Sequence, residues 1–405
     1  MDPKPGSVPF REAIDFFRQK LELPTETWTD LWQGMHARGF VVAGANKAEI
    51  VADFKQSLDR ILAEGRTLAD FREDFDRIVA RHGWSFKGSR GWRSRVIFQT
   101  NLRTVYASGK WAQAQRLKER RPFLRYVAVQ DSRTRPQHLA WHNTVLPIDH
   151  PWWRTHFPPN GWNCRCTVQS LSERDVERFG LQVSDAPPPV TMETRAVNTV
   201  NGPVTLQVPE GIDAGFAHNV GRAAWGRAQQ RVVMDSHGGF EDLVAPGGSR
   251  PAAPGRLPAV RPAVELAPRA EDAAGLRETL RAALGGRDSR ILTDPTGERI
   301  GVTQAVVDHM LAADDRRDGR EAFFPLIPDL LEAPQEIWIG FAEDKTTGRV
   351  AVRRRYVKLV DLGRERTVGL VADAADGFWQ ALTVFRGDRR AVRTLRKGLR
   401  LYRAE

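Results

Sequence analysis

The chain has 405 residues, 41% hydrophobic and 27% charged, and carries a formal net charge of +11 at pH 7. That length buries more than one core, so two or three domains are expected, and the cationic excess points to an anionic partner. No apolar run approaches the roughly 20 residues of a membrane-spanning helix, and MDPKPGSVPF at the start lacks a signal peptide's apolar core. We therefore expect a soluble protein made in a reducing cytoplasm, with no membrane partner.

The first 120 residues read mostly as helix. Phe10, Ala13, Ile14, Phe17 and Leu21 recur at helical spacing, as do Ile50, Val51, Phe54, Leu58, Ile61 and Leu62. Thr67 offers an N-cap for a third helix that buries Leu68, Phe71, Phe75, Ile78 and Val79. A fourth, from about Trp92 to Arg121, lines up Phe98, Leu102, Val105, Gly109 and Ala112. Its other face is basic. Between His82 and Cys166 there are 15 Lys or Arg against 3 acids, so this segment holds the whole charge excess. Such a face is either simply solvated or a contact for packaged DNA or an acidic protein surface. Nothing resembles a base-reading module, so any nucleic-acid contact would ignore sequence.

Phe123 to Gln130 has the content of a strand. It leads into the stretch that holds both cysteines, Cys164 and Cys166, and four of the nine histidines, His138, His142, His150 and His156. Three readings compete for two cysteines one residue apart. A disulfide there is strained; small thiols can simply pack; and two thiolates on one turn can bind a tetrahedral ion with two further ligands. Pro136 suits a helix start, which would put His138 and His142 on one face. A structural Cys2His2 zinc site from His138, His142, Cys164 and Cys166 is therefore expected, with Asp131, His150 and His156 as spare ligands. Pro147 to Pro159 excludes a regular helix or central strand, and Trp152, Trp153 and Trp162 are expected to roof a small core.

QDSRTRPQH followed by PPNGWNCRC resembles the signature of the phage Mu protein F family, the minor head or head morphogenesis proteins of tailed phages. TNLRTVYASGKWAQ and FREAIDFFRQKLELPTETW upstream, and PEGIDAGFAHNVG downstream, extend that resemblance over residues 8 to about 226. Many members carry CxxC where this chain has Arg135, Pro136, Gln137 and His138, so only one of those two ligand positions is kept here. The resemblance implies a virion protein, made in the host bacterial cytoplasm, that acts in head assembly with portal and capsid proteins.

Prolines then multiply, and residues 236–285, above all His237 to Arg269, read as an extended linker. Beyond it, Thr303 can cap a short helix with Val306, Val307, His309 and Met310, and EAFFPLIPDLLEAP reads as a second helical stretch. EIWIGFA, Val350 to Val360, Thr367 to Ala372 and Trp379 to Phe385 give four strands, and a basic amphipathic tail closes the chain. The expected fold class is α+β: a helical part (1–120), a small, irregular, metal-pinned α+β core (121–235), the linker, and a separate α+β domain with an antiparallel sheet (286–405).

ILTDPTGERIGVTQAVVDHML, PLIPDLLEAPQEIW and RRRYVKLV resemble phage-borne nucleases related to barnase, EndoU, colicin and RelE toxins. That resemblance implies metal-independent RNA cleavage, in which a base takes the ribose 2′-hydroxyl proton and cations stabilise the phosphorane. His309 would be base or acid. Arg317, Arg320, Arg353, Arg355 and Lys358 would bind phosphate, and Tyr356 and Thr383 would hydrogen-bond. The alternatives are a structural protein whose last domain is an inactive binding module, or an effector toxin delivered with the virion.

Overall fold

The computed structural model describes residues 10–226, 240–248, 257–304, 307–308, 311, 319–363, 367–375, 378–386, 396 and 398–404. The chain forms two compact units, one drawn mainly from residues 1–233 and one mainly from 249–405, and its class is α+β.

In the first unit, α1 (Arg11–Arg18) buries Ala13, Ile14, Phe16 and Phe17. Leu21, expected to continue it, instead opens a two-residue strand β1 (Leu21–Glu22), which pairs in parallel with β2 (Gly39–Phe40). The next helix, α2 (Ala48–Glu64), buries every apolar residue read from its spacing, and it stops at Gly65, whose φ of 68° a side chain would resist. Thr67 caps α3 (Leu68–His82) in a reciprocal box. Its hydroxyl accepts the Asp70 N–H, and the Asp70 carboxylate accepts the Thr67 N–H at 2.7 Å. Phe54, Phe71, Phe75 and Trp84 interlock between these helices with centroids 5.3 to 6.4 Å apart. Thr67→Ala is expected to cost about 1 kcal/mol, and Thr67→Ser close to nothing. Denaturant unfolding followed by tryptophan fluorescence checks both.

The longest helix, α4 (Arg90–Arg116), is buried on more than the single stripe read from sequence, because α1, α3 and α8 (Val220–Trp225) all pack on it. Ile97, Trp111 and Ala114 join Leu102, Val105 and Gly109 in the interior, while Ala112 is only half-buried. Gly109 is needed for close approach, since a Cβ there would sit 2.7 Å from the Phe10 ring.

After α4 comes a three-stranded antiparallel sheet. Its central strand β3 (Phe123–Val127) lies between β4 (Val145–Pro147) and β5 (Thr167–Leu171). Short helices fill the connections: α5 (Pro136–Ala140), α6 (Trp153–His156, one turn inside the proline-rich run) and α7 (Glu173–Arg178). Trp141, Trp152 and Trp153 are buried, and Trp162 is half-buried against Trp28 and Phe216. A hairpin, β6 (Met192–Thr199) and β7 (Gly202–Pro209), follows that the proline count had hidden. Among the described residues no helix is long and apolar enough to cross a membrane.

The second unit is built on an eight-stranded sheet. Its strands are β8 (Phe240–Leu243), β9 (Ser289–Thr293), β10 (Arg299–Thr303), β11 (Glu336–Asp344), β12 (Val350–Asp361), β13 (Thr367–Ala375), β14 (Phe378–Arg386) and β15 (Leu399–Arg403). The order is β15-β11-β12-β13-β14-β10-β9, with β8 also on β11. The four strands read from sequence form the central meander. The sheet is mixed rather than purely antiparallel, because β10 meets β14 in parallel. The basic tail supplies β15, paired antiparallel with β11.

The expected linker is shorter than its composition implied. β8 and a bridge from Val260 to Val360 belong to the sheet, and α9 (Ala273–Ala283), capped by Asp272, belongs to the core. Leu276, Leu280 and Leu284, four residues apart, pack with Leu292, Ile300, Phe324 and Leu330 on one face of the sheet. Leu257, Trp338, Val357, Leu359 and Val371 pack on the other.

Candidate functional site

The first-unit site follows from strand pairing. Because Val127 is opposite Thr167 across β3 and β5, the chain leaving β3 runs beside the chain entering β5. His138 and the two cysteines therefore meet. Pro136 occupies the first position of α5, where its missing N–H costs nothing, and the turn aims His138 inward. Its Nδ1 lies 3.7 Å from Cys164 Sγ and 3.5 Å from Cys166 Sγ, and the three donor atoms all fall within 4.8 Å of one another. At its far side, Nε2–H donates to the Gly211 carbonyl at 2.8 Å, and this assigns the Nδ1 lone pair to the sulfurs. The ring also stacks on Trp141 at 5.1 Å.

The sulfurs sit among donors. The Asn160 amide faces Cys164 and the Val129 amide faces Cys166. A hydrogen bond from Cys166, with a smaller contribution from the Asn160 amide, holds the Cys164 thiol well below its ordinary range despite burial. The reverse bond to Cys164, with burial and the charge on that neighbour, pushes Cys166 up. Two full thiolates at this spacing need a cation beside them. Arg103 of α4 braces the turn through the carbonyls of Asn163 and Cys164, and Asp213 ties the Trp162 N–H to Arg135.

His142, the expected fourth ligand, stands outside this group. The helix ends at Ala140 and the chain turns at Asn143, whose φ is 69°, so the two histidines do not share a face. Instead His142 Nδ1 accepts the Ala128 N–H at 3.1 Å. The spare candidates are engaged elsewhere: Asp131 with Arg165 and Arg133, His150 with the Trp152 N–H, and His156 with the Thr155 hydroxyl. Among the described residues the cluster therefore has three members, and its donor set, two sulfurs and an oriented imidazole, fits zinc.

Many cations of the basic 82–166 segment already have internal partners. Arg90 pairs with Asp76, Arg116 with Glu12, Lys118 with Asp149 and Arg121 with Asp175. Arg125 donates to Asn143 and Gln169, and Lys110 to Thr167.

In the second unit the expected catalytic set is dispersed. His309 and Arg317 lie outside the described residues, as does the side chain of Thr383. Along β12, alternation sends Arg353 and Arg355 to one face of the sheet and Arg354, Tyr356 and Lys358 to the other. Tyr356 is fully buried and its hydroxyl donates to Asp294 at 2.8 Å; burial and that carboxylate push its phenol well up. Lys358 donates to the Ala333 carbonyl and pairs with Asp329, both at 2.7 Å. Arg353 pairs with Asp242 at 2.6 Å. Tyr356, expected to hydrogen-bond, and Lys358, expected to bind phosphate, are thus engaged inside the second unit, and Arg320 and Arg355 also have partners within the protein. Reasoning from sequence missed a second charged cluster. The fully buried Glu336 accepts two bonds from Arg396 at 2.6 Å each and one from Trp338 Nε1 at 2.8 Å, with Arg400 and Arg403 within 4.0 Å. The repeated arginines of RTLRKGLRLYR were its only signal.

Comparison with known proteins assigns a class to each part. Residues 49–169 match the family described as Phage Mu protein F like protein, and residues 275–403 match phage-Barnase-EndoU-ColicinE5/D-RelE like nuclease2. The chain thus joins a Mu F-like domain to a nuclease-like domain. It is 34% identical over 255 residues to protein F of Escherichia phage Mu, whose name proposes a role in capsid assembly. It is also 34% identical over 223 residues to the Mu-like prophage FluMu F protein of Haemophilus influenzae. These alignments cover 56% and 50% of this chain, and 57% and 54% of the relatives, so the chain spans only a little over half the length of either. No solved structure matches it.

Proposed function

We propose that the protein is a minor head component of a phage or prophage that acts in capsid assembly beside portal and capsid proteins, resides in the virion, and carries a metal-independent ribonuclease at its C-terminal end. The match of residues 49–169 to the Mu F-like family carries the first part. The match of residues 275–403 to a nuclease family supports the second. A structural zinc held by His138, Cys164 and Cys166 would cross-link two irregular segments of the first unit, leaving the fourth coordination position to a group from outside this cluster. The internal pairing of the 82–166 cations favours a structural role for them over contact with packaged DNA.

In the nuclease part, His309 would be the base or acid, with the phosphate ligand drawn from Arg317, Arg320, Arg353, Arg355 and Lys358. Expression of the full chain in a bacterial host, beside His309→Ala, tests this when total RNA is followed over time. RNA cleavage and growth arrest are expected with the unaltered chain and not with the variant. Intact RNA with both, from soluble protein, would leave the head-assembly role alone. Co-sedimentation with capsids tests that role separately.

A further inference from the structure

A cavity of about 490 Å³ opens within the first unit, between the β1–β2 segment, α4, the chain around Pro159 to Asn163, and residues 215–220. It lies within the range typical of small-molecule sites. Its walls are mainly apolar, with Val41, Val42, Val96, Ile97, Trp28 and Phe216 prominent among them. None of the lining residues is acidic. Basic side chains line it nonetheless: Lys20, His36, His218 and Arg93.

These groups are poorly served by the protein itself. Lys20 is 4% exposed, and its ammonium sits 4.7 Å over the Phe16 ring. No well-formed hydrogen bond reaches either ring nitrogen of His218, although the Gly215 carbonyl lies close by, and Arg93, whose Nη2 donates to the Ala43 carbonyl, leaves its Nε without a partner. Buried polar atoms without partners are unusual, and each costs free energy until something pairs with it. Burial, helped by the charge of Lys55, pushes the Lys20 amine down to about 7. Burial and the Lys20 charge push His36 to about 3 and His218 to about 4, although the Leu31 and Gly215 carbonyls pull the other way. The two imidazoles are thus neutral near neutral pH and can offer N–H groups, while the Lys20 ammonium has no carboxylate among the lining residues to pair with. An anion would supply that partner.

We propose that this cavity binds a small amphipathic anion, an aliphatic or aromatic carboxylate of about ten heavy atoms whose apolar body fills the Val41–Ile97–Phe216 walls and whose carboxylate pairs with Lys20 and His218. A phosphate or nucleotide fits less well. Such groups are held by several converging backbone N–H donors or by paired arginines, whereas this site offers one amine, two imidazoles and one guanidinium set in apolar walls. The proposal is independent of both the zinc cluster and the nuclease-like domain.

Calorimetric titration of the full-length protein with decanoate, 1-decanol and decylamine tests it. Decanoate is expected to bind at one per chain and at least tenfold tighter than decylamine. Lys20→Met, which keeps the side chain's bulk and removes a buried charge, should weaken decanoate at least tenfold and leave 1-decanol unchanged. Thr100→Phe, which fills the cavity from α4 and touches none of the cations, should abolish both; it keeps the test decisive if Lys20→Met fails to fold. The proposal is overturned if decanoate does not bind, if decylamine binds equally well, or if decanoate binding survives unchanged in the folded variants.

Discussion

Chelation of the purified full-length protein is expected to release about one zinc per chain and to lower the thermal midpoint of the first unit by roughly 8–16 °C. The direction follows from geometry. His138 and the cysteine pair are 26 and 28 residues apart in sequence, yet their donor atoms lie within 4.8 Å of one another. The connecting segments offer only a five-residue helix, a four-residue helix and the three-residue strand β4 to keep them in place. A ligand that binds only the folded form adds about 4 kcal/mol when it is present at a thousand times its dissociation constant. For a unit of this size each kcal/mol moves the midpoint by about 2–4 °C. Without the ion, the two sulfurs and the His138 lone pair face one another with no cation between them. Cys164→Ser should lose the zinc and the same stability, whereas His142→Ala should keep the zinc, because that ring is bonded to the Ala128 amide instead. Elemental analysis with calorimetry reads both quantities. A metal-free preparation that melts where the untreated protein does would remove the zinc from this account.

Much of this site was legible before the structure, for a physical reason: its ligands come from two short segments with restrictive residues. Pro136 fixes where α5 begins, and a CxC turn has few ways to present two sulfurs. What could not be read was where α5 ends. That depends on Asn143 taking a positive φ, a conformation many other residues resist but sequence spacing does not announce. The four meander strands of the second unit, β11 to β14, were legible through alternation and β-branched content, whereas β8, β9, β10 and β15 were not read as strands. Its helix α9 was overlooked because Ala, Gly and Pro dominate the surroundings, although Asp272 and three leucines four residues apart were present to mark it. The cavity was illegible in principle. Its walls come from four separate parts of the chain, and Lys20 reads in sequence as an ordinary exposed cation. The nuclease residues were misgrouped for a simpler reason. A run such as RRRYVK looks like one patch, yet a strand divides it between two faces.

That division makes Asp294 the residue whose loss should cost the second unit most. Its carboxylate is fully buried, sits in the turn between β9 and β10, and accepts five hydrogen bonds. Oδ1 takes the Thr296 N–H at 2.8 Å, the Glu298 N–H at 3.0 Å and the Thr296 hydroxyl at 2.6 Å. Oδ2 takes the Tyr356 hydroxyl at 2.8 Å and Arg354 Nη1 at 3.1 Å. The hairpin turn and the centre of β12 thus share one acceptor. Asp294→Ala would leave the Arg354 guanidinium, only 8% exposed at its side chain, with Glu298 and the Thr296 hydroxyl alone, and would leave the Tyr356 hydroxyl in the interior without its acceptor. Removing one partner of a buried ion pair costs about 3–5 kcal/mol, so this variant should unfold the second unit at markedly lower denaturant. Tyr356→Phe removes a single bond to a charged acceptor and should cost about 1.5–3 kcal/mol. The double variant should cost less than the sum, because the hydroxyl matters only while its acceptor is present. A loss below about 1 kcal/mol in Asp294→Ala would mean that water replaces the carboxylate and reaches the Arg354 guanidinium. The same pair of variants decides the role of Tyr356. If Tyr356→Phe lowers stability while any RNA cleavage by the folded protein persists, the phenol is a strut between β10 and β12. If cleavage vanishes from a protein that remains folded, the hydroxyl takes part in the chemistry and its bond to Asp294 is one state of a group that must also reach substrate.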